Sequence, residues 1–108
     1  MGELATMQCV PCRGGVPPLA KTAADALLAK LSGWEIVNNH HLTKSYEFPD
    51  FVQALEFVNR IGAVAEEQGH HPDIALSWGK VRTEIWTHKI DGLTESDFIL
   101  ADKIDQLR

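Results

Sequence analysis

The residues best suited to chemistry are His70, His71 and His88, three of the five histidines in the chain. His70 and His71 are adjacent and precede a proline, which favours an extended backbone at His71. Side chains of neighbouring extended residues point in different directions, so we expect the two imidazoles to take different roles. Imidazole gains and loses protons near neutral pH, so this set predicts a general acid–base site.

Two carboxylates are spaced so that they could orient these rings. Glu66 precedes His70 by four residues and could reach its imidazole if helical geometry continues that far. Asp97 follows His88 by nine residues and could orient that ring in the same way. Each carboxylate also has a purely structural interpretation, Glu66 as an exposed helix residue and Asp97 as the partner of Thr94 in a capping box.

A zinc site made from the same three histidines is the alternative chemistry. Zinc accepts three histidine ligands and a water, but adjacent side chains diverge and form a poor chelate. Cys9 and Cys12 make one Cys-x-x-Cys motif, and no second motif supplies the remaining ligands of a zinc site. We therefore predict no metal, and interpret the cysteines as thiols of an N-terminal arm.

The composition of the 108 residues is typical of a single soluble domain, with 44% hydrophobic and 23% charged residues. A net charge of −5 argues against nucleic acid as a direct partner, because phosphate binding needs a basic face. No apolar run is long enough to span a membrane, and the N-terminus lacks the features of a secretory signal. We expect a cytoplasmic protein.

The elements that must position these residues are read from periodicity and turn residues. We predict an irregular arm over 1–17 and one domain over 18–108. A first helix begins near Pro18, and a second helix runs from the N-cap Asp50 to Gly69. The apolar face expected for the second helix comprises Phe51, Ala54, Leu55, Val58, Ile61 and Ala65.

Two hairpins complete the pattern, one over 34–48 and one over 73–88, and a last helix follows Thr94 as N-cap. His40 and His41 are interpreted as polar turn residues without a chemical role. Alternation along 80–88 places Arg82, Glu84, Trp86 and His88 on one face and Val81, Thr83, Ile85 and Thr87 on the other.

The order α-β-β-α-β-β-α predicts an α+β fold, a four-stranded antiparallel sheet with three helices packed on one face. Such a sheet has one uncovered face and two free edges, which makes a homo-oligomer a reasonable expectation.

Several of these residues together resemble the signature of the pterin-4a-carbinolamine dehydratases. The positions in register are Glu66-x-x-x-His70-His71-Pro72, Trp78, His88 and Asp97. Gly33-Trp34, Tyr46-x-Phe48 and Gly92-Leu93-Thr94-Glu95 fit as well, and residues 9–19 resemble the N-terminal arm of bacterial members. The resemblance covers nearly the whole chain.

The resemblance implies a cofactor-free hydro-lyase that dehydrates 4a-hydroxytetrahydrobiopterin to the quinonoid dihydropterin, which recycles tetrahydrobiopterin. It also implies a homodimer or homotetramer and a functional link to an aromatic amino-acid hydroxylase. The implied site has catalytic His70, His71 and His88, supporting Glu66 and Asp97, and substrate contacts from Trp34, Trp78 and Pro72.

Within that site we assign most proton transfer to His70 and His88 and substrate binding to His71. Two alternatives remain open at this stage. One is a non-catalytic interaction or regulatory module on the same fold, and the other is a pterin-related role in molybdopterin metabolism.

Overall fold

The computed structural model describes residues 4–7 and 17–108, and Cys9 and Cys12 lie outside them. Three α-helices and four strands follow one another in the predicted order α-β-β-α-β-β-α, which confirms the α+β class. They are α1 (Lys21–Leu28), β1 (Glu35–Val37), β2 (His41–Glu47), α2 (Phe51–Gln68), β3 (Asp73–Ser77), β4 (Lys80–Ile85) and α3 (Glu95–Asp105).

The four strands form one antiparallel sheet in the order β1-β2-β4-β3. Its two outer pairs, β1–β2 and β3–β4, are the hairpins that the sequence predicts. The central pair joins β2 to β4, whose register runs from Leu42 opposite Ile85 to Glu47 opposite Lys80. This pairing between non-consecutive strands brings the far ends of the two hairpins together.

The sheet has one buried and one polar face, as the alternation in β4 predicts. The side chains that face the helices and are buried are Leu42, Tyr46, Val81, Thr83 and Ile85. Each buried aliphatic or aromatic side chain contributes roughly 1.5–3 kcal/mol to folding. The residues between them, such as Ser45 and Arg82, are exposed, so the uncovered face does not itself need a partner.

α2 begins and ends where its capping residues predict. The Asp50 carboxylate accepts the backbone N–H of Gln53 at 2.9 Å, which satisfies a free donor of the first turn. Gly69 adopts φ 64° and ends the helix in the left-handed conformation. The N–H of His70 then donates to the carbonyl of Ala65 at 3.2 Å, which fixes the backbone of His70 against the helix end.

The predicted apolar face of α2 is partly wrong. The buried residues are Ala54, Phe57, Ile61 and Ala65, whereas Phe51 and Leu55 are 43% and 40% exposed. The helix carries apolar residues at i, i+4 spacing on two overlapping stripes, so periodicity could not say which stripe meets the sheet. Phe51 and Leu55 belong to the stripe that faces outward.

α3 is the most buried helix and also anchors the start of the chain. Leu4, at 2% exposure, lies in the core, and residues Leu4–Thr6 form a 3-10 turn where the sequence suggested irregular structure. The carboxylate of Asp102 accepts the N–H of Ala5 at 2.9 Å. The Lys103 ammonium donates to the Ala5 carbonyl at 2.9 Å, so two hydrogen bonds hold this part of the arm on α3.

None of the helices in the described part of the chain is both long and apolar enough to cross a bilayer.

Candidate active site

The three predicted histidines line one cleft of about 220 Å³ at the end of the sheet. Its walls come from the chain after α2 and from the chain after β4. The lining residues are Gly69, His70, His71, Trp86, Thr87, His88 and Lys89. The left-handed turn at Gly69 sends His70 and His71 toward the end of β4, and this brings residues far apart in sequence together.

His70 is held by the buried carboxylate of Asp97. The His70 Nε2 lies 2.6 Å from Asp97 Oδ1, and Asp97 itself has no solvent exposure. The other oxygen of Asp97 accepts the Thr87 hydroxyl at 2.9 Å and the Thr94 N–H at 2.8 Å. An ionised carboxylate can only accept hydrogen bonds, so the hydrogen of this contact sits on Nε2. Nδ1 is then the nitrogen of His70 that can exchange a proton with a ligand.

His71 pairs with Glu66 in a more exposed setting. The His71 Nε2 lies 2.5 Å from Glu66 Oε2, with side-chain exposures of 58% and 79%. Water competes for both groups there, so the contact orients the ring without fixing it firmly. No described residue makes a hydrogen bond to Nδ1 of His71, so this atom is also left for a ligand.

The carboxylate partners differ from those expected by spacing. The sequence assigned Glu66 to His70 and Asp97 to His88, but Glu66 contacts His71 and Asp97 contacts His70. The helix ends at Gln68, so the i, i+4 geometry that would bring Glu66 to His70 does not continue. The partner of His70 comes instead from the N-terminus of α3. Thr94 and Asp97 also form the capping box that the sequence predicts.

His88 lies in a loop and does not end a strand. β4 stops at Ile85, and His88 begins the 3-10 turn His88–Ile90. A β-bridge between Thr87 and Gly92 closes this loop. The His88 ring packs on Trp86 with centroids 4.3 Å apart and makes no hydrogen bond or ion pair with the residues that the structure describes. Both of its nitrogens are therefore available to solvent or a ligand.

Trp86 is a cleft residue that sequence reasoning missed. Its indole contacts His88 and also His40 and His41, at centroid distances of 5.2 Å and 5.8 Å. The alternation that puts residues 86 and 88 on one face was the signal that could have identified it. His40 and His41, which the sequence analysis interpreted as turn residues without chemistry, thus border the same cleft wall.

Trp34 is not in the cleft wall formed by this chain. It is 5% exposed, and its indole N–H donates to Asp105 at 3.0 Å. The same carboxylate accepts the Lys44 ammonium at 2.8 Å and the Tyr46 hydroxyl at 2.5 Å. Burial raises the pKa of the Tyr46 hydroxyl, and the hydrogen bond to Asp105 raises it further. These hydrogen bonds hold the indole of Trp34 in the core beside Asp105, which lies about two turns of α3 from Asp97.

Trp78 and Pro72 are also absent from the cleft-lining residues. Trp78 is 69% exposed in the turn between β3 and β4, at the opposite end of β4 from Trp86. Pro72 directly follows His71 and leads the chain into β3. The substrate contacts expected from these two residues are therefore not formed by the walls of the cleft within one chain.

A metal-ligand arrangement is not seen over residues 4–7 and 17–108, where no three His, Cys, Asp or Glu side chains converge on one point. In the cleft, His70 and His71 both direct Nε2 at a carboxylate. The geometry instead suits proton exchange, because one oriented imidazole and one unbound imidazole border the same space.

The chain is similar to proteins of one family over almost its full length. The family model described as pterin 4 alpha carbinolamine dehydratase matches residues 17–107. A protein of Rubrobacter xylanophilus, provisionally named as such a dehydratase, is 56% identical over 99% of this chain and 100% of its own length. A provisionally named relative from Rickettsia bellii is 59% identical over 98% of this chain and 95% of its own length.

Two solved structures share the fold. A transcriptional coactivator/pterin dehydratase from Brucella melitensis superposes with a TM-score of 0.79 at 30% identity, covering 83% of this chain and 97% of that one. A pterin dehydratase-like RuBisCO assembly factor of the alpha-carboxysome has a TM-score of 0.61 at 23% identity, covering 70% and 89%, and supports the fold alone. The chain therefore belongs to the pterin-4-alpha-carbinolamine dehydratase family.

Proposed function

We propose that this protein removes water from 4a-hydroxytetrahydrobiopterin. The C4a–O bond breaks and the hydroxyl leaves as water after it gains a proton. The N5–H bond also breaks, and its electron pair forms the C4a=N5 double bond of the quinonoid dihydropterin. The reaction needs one proton donor and one proton acceptor and no external oxidant or reductant. The observation that carries the proposal is the pair of differently held imidazoles, His70 and His88, at one cleft.

The environments of the two rings suggest which is base and which is acid. Asp97 holds the Nε2–H of His70, and a carboxylate in that position stabilises the imidazolium formed when Nδ1 accepts a proton. His70 is thus the base for the N5 proton. His88 has no such partner among the described residues and exchanges protons with solvent, so it is the acid for the leaving hydroxyl. His71, whose contact with Glu66 is exposed to water, binds the polar edge of the pterin.

Trp86 takes the role of the aromatic wall. Its indole is partly exposed in the cleft and packs on His88, so a planar bicyclic ring can lie against it. Aromatic contacts of this kind contribute about 0.5–1.5 kcal/mol beyond the area they bury. We also propose that the protein acts in the cytoplasm and recycles pterin after aromatic amino-acid hydroxylation.

The test is the dehydration of synthetic 4a-hydroxytetrahydrobiopterin, followed by absorbance in a stopped-flow instrument. We expect the protein to accelerate the reaction over buffer, with a pH profile that changes slope between about pH 5 and 8. Trp86→Ala should raise KM about tenfold, because the bound ring loses its aromatic wall. A rate equal to that of buffer would contradict the proposed activity.

Trp78→Ala is the matched control for this experiment. It also removes an indole, but from a position outside the cleft, so KM should stay within about twofold of the parent value. If Trp78→Ala raised KM and Trp86→Ala did not, the aromatic wall would be wrongly assigned.

We also propose that the protein is a homo-oligomer. Phe51, Val52 and Leu55 at the start of α2 are 43%, 63% and 40% exposed, and their adjacency makes an apolar stripe that a second copy of the chain can cover. Sedimentation velocity should give a multiple of the chain mass, and Val52→Glu with Leu55→Glu should shift it to the monomer. Gln53→Glu adds a charge in the same part of the helix but on a different face and should leave the mass unchanged. A parent protein that sediments as a monomer would contradict the proposal.

A further inference from the structure

His40 and His41 form an imidazole pair beside the cleft. Their Nδ1 atoms lie 3.0 Å apart, which is hydrogen-bond distance. On the outer side, His40 Nε2 lies 2.7 Å from Asp91 Oδ1. His41 Nε2 faces Glu84 at the longer distance of 3.6 Å. The pair is thus flanked by a carboxylate at each end, one close and one more distant.

The distances favour one placement of the hydrogens, although the Asp91 side chain is 85% exposed and water competes for its oxygens. Asp91 accepts a hydrogen from His40 Nε2, so a neutral His40 has a bare Nδ1. His41 must then donate through its own Nδ1–H, because two bare nitrogens or two N–H groups repel each other at this distance. One added proton can reside on His41 Nε2, toward Glu84. A second added proton would place a hydrogen on both Nδ1 atoms and would force the pair apart.

The pair touches the cleft through Trp86. In the register of the central strands, Leu42 is opposite Ile85, so His41 and Trp86 are the next residues along the two strands. Both rings of the pair contact the indole, which in turn packs on His88. Opening of the pair would therefore remove side-chain support from one wall of the cleft.

We propose that His40 and His41 are positioning residues, whose shared hydrogen holds the indole of Trp86 in place for pterin binding. At acid pH the second proton separates the rings and weakens binding. This role in pterin binding rests on the proposed function, whereas the shared hydrogen does not. The other charges facing the pair are Asp91 from the loop after β4 and Glu84 of β4, which is itself bound by Arg82 at 3.1 Å.

Long-range proton–nitrogen NMR of the imidazoles tests the shared hydrogen without any substrate. At pH 8 we expect neutral His40 with its hydrogen on Nε2 and neutral His41 with its hydrogen on Nδ1. Below about pH 6, the indole N–H signal of Trp86 should shift as the pair opens, and His41→Gln should remove that shift. The His88→Gln variant should retain the shift. This result would show that the shift comes from the His40–His41 pair and not from the His88 ring, which also packs on Trp86.

Equilibrium binding of 7,8-dihydrobiopterin, an unreactive probe, tests the effect on the cleft. Asp91→Ala should weaken binding at pH 7.5 about fivefold, because His40 loses the acceptor that fixes its tautomer. Asp91→Asn keeps an acceptor oxygen and should bind like the parent. In the parent, Kd should rise about tenfold between pH 7.5 and 5.5, and in His41→Gln the rise should be clearly smaller, with the remainder due to the histidines of the cleft itself.

The outcomes distinguish this inference from the proposed activity. A neutral His41 with its hydrogen on Nε2 at pH 8 would overturn the shared hydrogen, whatever the enzyme assay shows. The expected tautomers with equal binding by all variants would overturn the positioning role. A protein that binds the probe as expected but fails to dehydrate the carbinolamine would retain this inference and lose the proposed function.

Discussion

Replacing His88 with alanine is expected to lower kcat for the dehydration about 10²–10⁴-fold, with a much smaller, roughly severalfold rise in KM because the ring also packs on Trp86. The ring is exposed and makes no hydrogen bond or ion pair within the described chain, so its loss does not disturb the fold. The leaving hydroxyl then has only water as its proton source. The unassisted dehydration continues and sets the residual rate.

His71→Ala is the informative companion to His88→Ala. It removes a neighbouring imidazole of the same cleft, but one whose proposed role is binding, so KM should rise about tenfold while kcat falls far less. Steady-state kinetics at several pH values, with urea unfolding as a check on the fold, separate the two effects. If both variants kept the parent kcat and KM, acid–base catalysis by these histidines would be excluded.

The parts of the fold that the sequence predicted are those governed by local chemistry. Asp50 and Gly69 mark the ends of α2 because a side-chain cap and a left-handed glycine act over one turn. The alternation in β4 identified its buried face for the same reason, since strand periodicity is a local property. Each of these features depends on residues within a few positions of one another.

The features that escaped prediction depend on pairing between distant segments. Neither hairpin pattern specifies that β2 pairs with β4, and only that register brings His41 next to Trp86. The contact between His70 and Asp97 likewise joins residues 27 positions apart in the chain. Trp34 looked available for a ligand because nothing in its local sequence reveals that Asp105 binds its indole from another element.

The Asp97→Asn variant is expected to lose both stability and activity. Asp97 accepts hydrogen bonds from Thr94 and the buried Thr87 and also from His70, the proposed base. Three donors converge on its two oxygens, from His70, Thr87 and Thr94. Asparagine replaces one oxygen with an NH₂ group, so either this group faces the Thr94 N–H, donor against donor in a buried site, or it faces His70 and forces a change of tautomer. Such a defect costs about 1–3 kcal/mol. It should lower the melting temperature by several degrees for a domain of this size.

The effect of Asp97→Asn on activity follows from the tautomer of His70. If the amide NH₂ faces His70, its hydrogen can be accepted only by an unprotonated Nε2. The ring hydrogen of His70 must then lie on Nδ1. His70 then presents a donor where the proposed mechanism needs a base, and kcat should fall about 10²–10⁴-fold. Imidazole NMR of the variant would report the change of tautomer directly, alongside kcat and urea unfolding.

Glu66→Gln is the matched control, because it makes the same chemical change at the carboxylate that holds His71. Glu66 is 79% exposed, and water can satisfy any group left without its partner. We therefore expect stability within about 0.5 kcal/mol of the parent and at most a modest rise in KM. Equal losses in both variants would mean that burial of Asp97 does not matter. A stable, fully active Asp97→Asn protein would mean that His70 does not need its carboxylate, and the assignment of His70 as base would fail.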